Sequence, residues 1–210
     1  MFAMRKNAPP KIMMNTFVCA AISGIVVVYV KPHIMRTYSH VSRYDCHACT
    51  NGVIAGLTAI SGCCDTTEPW FAFCIGIGSA FAYILGCKVM QWTKIDDPCE
   101  AAPVHLFGGI WGQIAVGIFN VEQGIFYGHN AGYFFGVQIL GVVAVFGFVS
   151  VVSIVIFMIL KRTGLLRIDR SIEVIGLDIA EMGGVSDEVY DKVKQEFSSR
   201  YLSQLGYSVV

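Results

Sequence analysis

Apolar length constrains this chain most. A helix that crosses about 30 Å of hydrocarbon needs roughly 20 apolar residues. Four stretches of the 210-residue sequence reach that length, at about 15–34, 69–92, 99–119 and 132–160. A fifth, 50–65 ("TNGVIAGLTAISGCCD"), is short but free of charge until Asp65 and spans only if packed inside a bundle. Five spans are expected, so the fold class is an all-α polytopic transmembrane bundle. Composition agrees. Charged residues make up 14% and mean hydropathy is +0.60, against about 25% charged in an ordinary soluble domain. Formal net charge is zero, which gives no support to a nucleic-acid partner. The first residues lack the apolar core and small-residue cleavage site of a signal peptide.

Lys and Arg in short loops set the orientation of such a bundle. One side receives Arg36, Arg43, Lys94, Lys161, Arg162 and Arg167, whereas the 65–69 and 120–131 loops hold none. The C-terminus is therefore expected in the cytoplasm. Arg5, Lys6 and Lys11 oppose this, because five spans place them outside. Residues 1–160 read as the membrane domain and 161–210 as a cytoplasmic tail. Gly164 ends the last span, and 186–205 reads as a short soluble helix with Ser186 as N-cap.

Glycines recur four apart at Gly52/Gly56, Gly108/Gly112 and Gly132/Gly136. That spacing lets membrane helices approach closely, and generic packing accounts for all three pairs. Six of the eight cysteines (Cys19, Cys63, Cys64, Cys74, Cys87 and Cys99) lie in or beside apolar segments and read as small buried hydrophobes. Cys46, His47 and Cys49 have CxxC spacing, but no second ligand pair accompanies them. No metal, cofactor or enzyme activity is expected. A membrane enzyme built on that trio is the rival that metal analysis would test.

The segment "KIDDPCEAAPVHLFGGIWGQIAVGIF", 94–119, carries a histidine inside an apolar run. Asp97 suits an N-cap and Pro98 the first helical position. His105 then lies roughly 10 Å along the axis. Desolvation at that depth favours neutral imidazole, which still needs a donor and an acceptor partner. Two readings stay open. One is a core histidine bonded to a neighbouring helix. The other is a ligand or proton-relay group facing a pore, since ionisable residues within spans are functional candidates. Ala101, Gly108, Gly109 and Gly112 are the small residues beside it, with room either for a narrow passage they would line or for a closely packed neighbouring helix. Pro103 removes one backbone hydrogen bond and is expected to kink the helix just before His105.

The motif "DDPCEAAPVHLFGGIWGQIAVGIF" resembles the ammonium transporter family, the Amt/MEP/Rh group. "MNTFVCAAISGIVV" and "NGVIAGLTAISGCC" are similar to that family's seventh and eighth spans. "GLLRIDRSIEVIGLDIAEMGGVSDEVY" is similar to its cytoplasmic tail, with Gly176, Leu177 and Asp178 as the regulatory signature. The resemblance covers spans seven to eleven of an eleven-span inverted repeat. It implies half of that fold, with residue 1 near an extracellular loop. It also implies a hydrophobic pore for ammonium or ammonia with two stacked histidines, of which His105 matches the second. His33, His40, His47 and His129 sit at span ends or in loops. The sequence departs from the family pattern at Pro103, at Ala180, where threonine is common, and at Met182, where histidine is common. Trimers and a plasma-membrane location are further implications, with membrane lipid as surroundings. Two functional expectations follow: a partial ammonium transporter with His105 as pore and proton-relay residue and Asp97 as helix cap, or a non-transporting membrane protein that associates with full-length relatives through its tail.

Overall fold

The computed structural model describes residues 8–35, 45–168, 191 and 195. Ser186, the 186–205 stretch as a unit, and Gly176, Leu177 and Asp178 lie outside the described residues. Every element assigned among the described residues is helical: α1 (Ala8–Met35), α2 (Cys46–Ile60), α3 (Pro69–Thr93), a π segment (Ala102–Phe107) running into α4 (Gly108–Phe119), and α5 (Ala131–Arg162). Four of these, counting the π segment with α4, are long and apolar enough to cross a membrane. The shorter α2 has 15 residues, about 22 Å of axis. It starts four residues before the expected 50, because the Asp45 carboxylate accepts from the His47 N–H and caps it. Cys46 and Cys49 thus form its first turn.

The chain forms two compact units, residues 1–146 and 147–210. In the first, α1 packs on α2 and α3, and both of these pack on the π segment and α4. Small residues make this possible, since lipid supplies no hydrophobic drive between helices. A Cβ on Gly52 would lie 2.8 Å from Val27, one on Gly56 2.8 Å from the Cys19 carbonyl, and one on Gly112 2.7 Å from the Ala59 carbonyl. A Cβ on Gly132 or Gly136 would have nothing within 4 Å, so neither glycine makes such a contact among the described residues. Cys19, Cys63 and Cys87 are buried, whereas Cys74 and Cys99 are exposed, the first on the outer side of α3 and the second in the turn before the π segment.

The end of unit 1 where α1 begins is tied by polar groups. Asn15 Nδ2 donates to the carbonyls of Cys64 and Thr67, both at 2.8 Å. Thr67 Oγ1 donates to the Phe119 carbonyl, and Asn120 Nδ2 to Thr66 Oγ1. Phe71 packs there at a tilt against Phe119 and stacks on Phe126. α5 enters through Gln113 Nε2, which donates to Gln138 Oε1 across to α4.

In the second unit, the last part of α5 ends in a Schellman turn. Gly164 takes φ +76°, its N–H donates to the Lys161 carbonyl, and the Leu165 N–H donates to that of Leu160. No residue of α5 is buried.

Candidate functional site

The helix carrying His105 begins at Ala102, four residues later than Pro98. Asp97 caps it from a distance: its two carboxylate oxygens accept from the N–H groups of Ala101 and Ala102, each at 2.9 Å. Pro98 lies in a turn outside the helix. Between them Glu100 takes φ +54°, a left-handed conformation unusual for a residue with a side chain. The late start places His105 only three residues in, about 5 Å along the axis rather than 10.

At Pro103 the backbone departs from the regular α-helix just before His105. The proline sits in the first turn, where its missing N–H would lack an intrahelical partner anyway. The turn widens into a π segment, closed by the Gly108 N–H donating to the carbonyls of Pro103 and His105. Such π bulges recur at functional sites.

The widened turn sorts the small residues onto two faces. Pro103 and Val104 are buried, and so are Gly108 and Gly112, which meet Ala55 and Ala59 of α2. Gly108 and Gly112 thus serve the close packing on α2, the second of the two readings of these small residues. His105 is exposed, as are Ala101 and Leu106. Gly109 has open space around its Cβ position. No ring hydrogen bond joins His105 to another described residue, so the described part of unit 1 lends no support to the reading as a core histidine. Ala101, His105 and Gly109 thus share an open face.

A second set of residues gathers around Glu100, five residues before His105 in the chain. Lys31 of α1 is buried, with 6% of its side chain exposed, and its Nζ lies 2.7 and 2.8 Å from the two carboxylate oxygens of Glu100. Nζ also donates to Tyr83 Oη of α3 at 2.8 Å and stands 4.8 Å from the centre of that ring. Tyr83 Oη donates in turn to Glu100 Oε2. Asn51 Nδ2 of α2 donates to the same oxygen at 3.2 Å and to the Cys99 carbonyl at 3.1 Å. His47 Nδ1 is 4.0 Å from Glu100 Oε2. Burial works against the charge on Glu100, but hydrogen bonds from Lys31 and Tyr83 and the Lys31 charge outweigh it and hold this carboxyl below its ordinary value. The signal for this set was a lysine near the end of one apolar run, an asparagine within another and a glutamate before a third. Residues 31, 51 and 100 share no periodicity, so only the fold brings them together.

The profile of the Ammonium Transporter Family matches residues 2–186. This chain belongs to that family. It is 30% identical over 207 residues to Ammonium transporter 1 member 3 of Solanum lycopersicum, covering 90% of this chain and 43% of the relative. It is 31% identical over 184 residues to Ammonium transporter Amt2 of Archaeoglobus fulgidus, covering 82% and 38%. The chain thus spans less than half the length of these relatives. Among solved structures, the N240A mutant of Candida albicans Mep2 shares the fold with TM-score 0.65 at 22% identity, over 75% of this chain and 36% of that one. Saccharomyces cerevisiae Mep2 gives 0.63 at 20% identity, over 75% and 38%. Family membership together with four helices of spanning length makes this a multi-pass membrane protein.

Proposed function

We propose that the chain serves ammonium transport across a membrane, supplying one wall of a hydrophobic pore in which His105 relays protons. The observation that carries this reading is the open face. An imidazole inside a spanning helix stands exposed between Ala101 and Gly109, with no partner among the described residues. An unpartnered polar ring costs free energy in hydrocarbon, so this face suits a water- or substrate-bearing passage shared with a second wall. The neighbouring Lys31–Glu100 pair is internally neutral and leaves His105 as the polar group presented there.

On this reading residues 1–160 form the membrane part and 161–210 a cytoplasmic tail carrying Gly176, Leu177 and Asp178. With α2 counted as a crossing, Lys94, Lys161 and Arg162 fall on one side of the membrane, which supports a cytoplasmic C-terminus. The family resemblance extends the proposal to a trimer in the plasma membrane.

Growth of a transporter-deficient cell on limiting ammonium tests the proposal. The chain is expressed alone, together with the N-terminal half of a full-length relative, and fused to that half. Growth restored by the fused chain and lost with His105→Ala, at equal membrane abundance, is expected. A fused, membrane-inserted chain that restores nothing, or an H105A chain that grows as well as its parent, overturns it.

A further inference from the structure

The groups around Lys31 describe a receptor for a primary ammonium ion. An ammonium head on a carbon stem has three N–H donors and no acceptor. Here they meet both oxygens of the Glu100 carboxylate and the Tyr83 hydroxyl at 2.7–2.8 Å. The hydroxyl spends its own proton on Glu100 Oε2, which leaves its lone pairs for Nζ. Nζ stands 4.8 Å from the Tyr83 ring centre, on the hydroxyl side of the ring, so the contact with Tyr83 is the hydrogen bond to Oη. Asn51 Nδ2 donates to Glu100 Oε2 at 3.2 Å and so helps to fix the acceptor, while the half-exposed His47 Nδ1 stands 4.0 Å from the same oxygen. The cage offers three oxygens. That fits N–H donors better than potassium or sodium, which take more oxygens around them.

The backbone has been bent to build this cage. Glu100 holds φ +54°, and a residue with a Cβ stays in that region only when its surroundings impose it. Ties to α1, α2 and α3 impose it here. Glu100 is also five residues before His105 on the same stretch of chain. Left unpaired, its carboxylate would be a strong stopping place for any small cation arriving at this end.

We propose that Glu100, Tyr83 and Asn51 form an ammonium-type cation site that Lys31 fills as a tethered resident cation, withholding the Glu100 carboxylate from mobile cations. The consequence for conduction rests on the transport reading above, but the site itself does not. Lys31 is then a specificity-determining residue. Its removal creates a binding site for free ammonium or methylammonium.

The full chain, purified in detergent, is unfolded thermally while tryptophan fluorescence is followed, in equal concentrations of ammonium, methylammonium, tetramethylammonium, potassium or sodium chloride. Lys31→Ala is expected to melt below the parent in sodium. It should regain roughly 3 °C or more in ammonium and methylammonium at concentrations well above their Kd. Tetramethylammonium, which has no N–H, should give nothing. The parent and the K31A/E100Q double variant should melt alike in all five salts. Equal melting of K31A in every salt, or a recovery that persists in K31A/E100Q, overturns the proposal. So does a failure of both K31A and Lys31→Ser to fold even in ammonium. Because the readout is stability, a chain that shows this rescue without supporting growth would sink the transport reading alone.

Discussion

On one side of the helix that carries His105, Val104, Gly108, Gly112 and Ala115 lie buried; on the other, Ala101, His105 and Leu106 are exposed. Both sides use small residues, but for opposite ends. At Gly112 the missing side chain lets α2 come so close that a Cβ would sit 2.7 Å from the Ala59 carbonyl. At Gly109, three residues earlier, a Cβ would meet nothing within 4 Å. A glycine in a membrane helix therefore says nothing about its role until its face is known. Here the face is decided at the start of the helix, by Glu100 and the π turn that follows it.

The strongest way to disturb that sorting is at its base. Glu100→Ala leaves the Lys31 ammonium buried with only Tyr83 for company. Removing one partner of a buried pair costs about 3–5 kcal/mol, and the 24% exposure of the Glu100 side chain argues for the lower end. For a chain of this length each kcal/mol moves Tm by about 2–4 °C. A fall of roughly 6–12 °C is thus expected by thermal unfolding in detergent. Lys31→Met combined with E100A should recover most of it, since no unpaired charge remains. An additive loss in the double variant would show that the two residues do not act as a pair.

Next in size is the closed face. Gly112→Val forces a branched side chain against the α2 backbone, where neither partner can turn away. Overpacking of this kind costs about 1–3 kcal/mol, and the same unfolding assay should register it as a fall in Tm of a few degrees. A G112V chain that melts with its parent would mean that the contact between α2 and α4 is looser than 2.7 Å implies.

A smaller effect is expected from acid. The Glu100 carboxyl is held below its ordinary 4.5 in the folded chain. A depressed carboxyl contributes stability that is fully present above its unfolded pKa and is lost as pH falls through the folded value. Melting temperatures should therefore hold from neutral pH down to about 5 and fall below 4.5, with a shallower fall in Glu100→Gln. Curves of identical shape for parent and E100Q would remove this group from the acid response.

The sequence shows the spans plainly, because length and apolarity suffice for them. The starts of α2 and of the π segment are a different matter. Asp97-Pro98 has the chemistry of a helix start, and by local preference it would be one. The chain delays the helix to Ala102 because Glu100 must turn into a left-handed conformation to reach Lys31, 69 residues away. That ion pair lies beyond any local pattern, so the depth of His105 and the phase of Gly108, Gly109 and Gly112 could not be read from periodicity. The same holds for Gly132 and Gly136, whose spacing matches that of Gly52 and Gly56 but which no described residue approaches in that way.

The smallest expected change in stability is at Gly109, where the comparison between the faces is sharpest. Alanine is a better helix former than glycine by about 0.8–1.0 kcal/mol, and open space awaits its methyl group. Gly109→Ala should thus leave Tm unchanged or raise it by up to about 2–4 °C, in contrast to G112V. Its effect on function should run the other way. The added methyl stands on the open face within one turn of His105, where the proposed passage would be narrowed. In the fused chain, growth on limiting ammonium should fall severalfold for G109A while the amount of protein in the membrane holds. Should G109A melt several degrees lower, another part of the chain covers this face. Should it melt normally and support full growth, the passage does not run past Gly109, and the open face at His105 owes its exposure to something other than conduction.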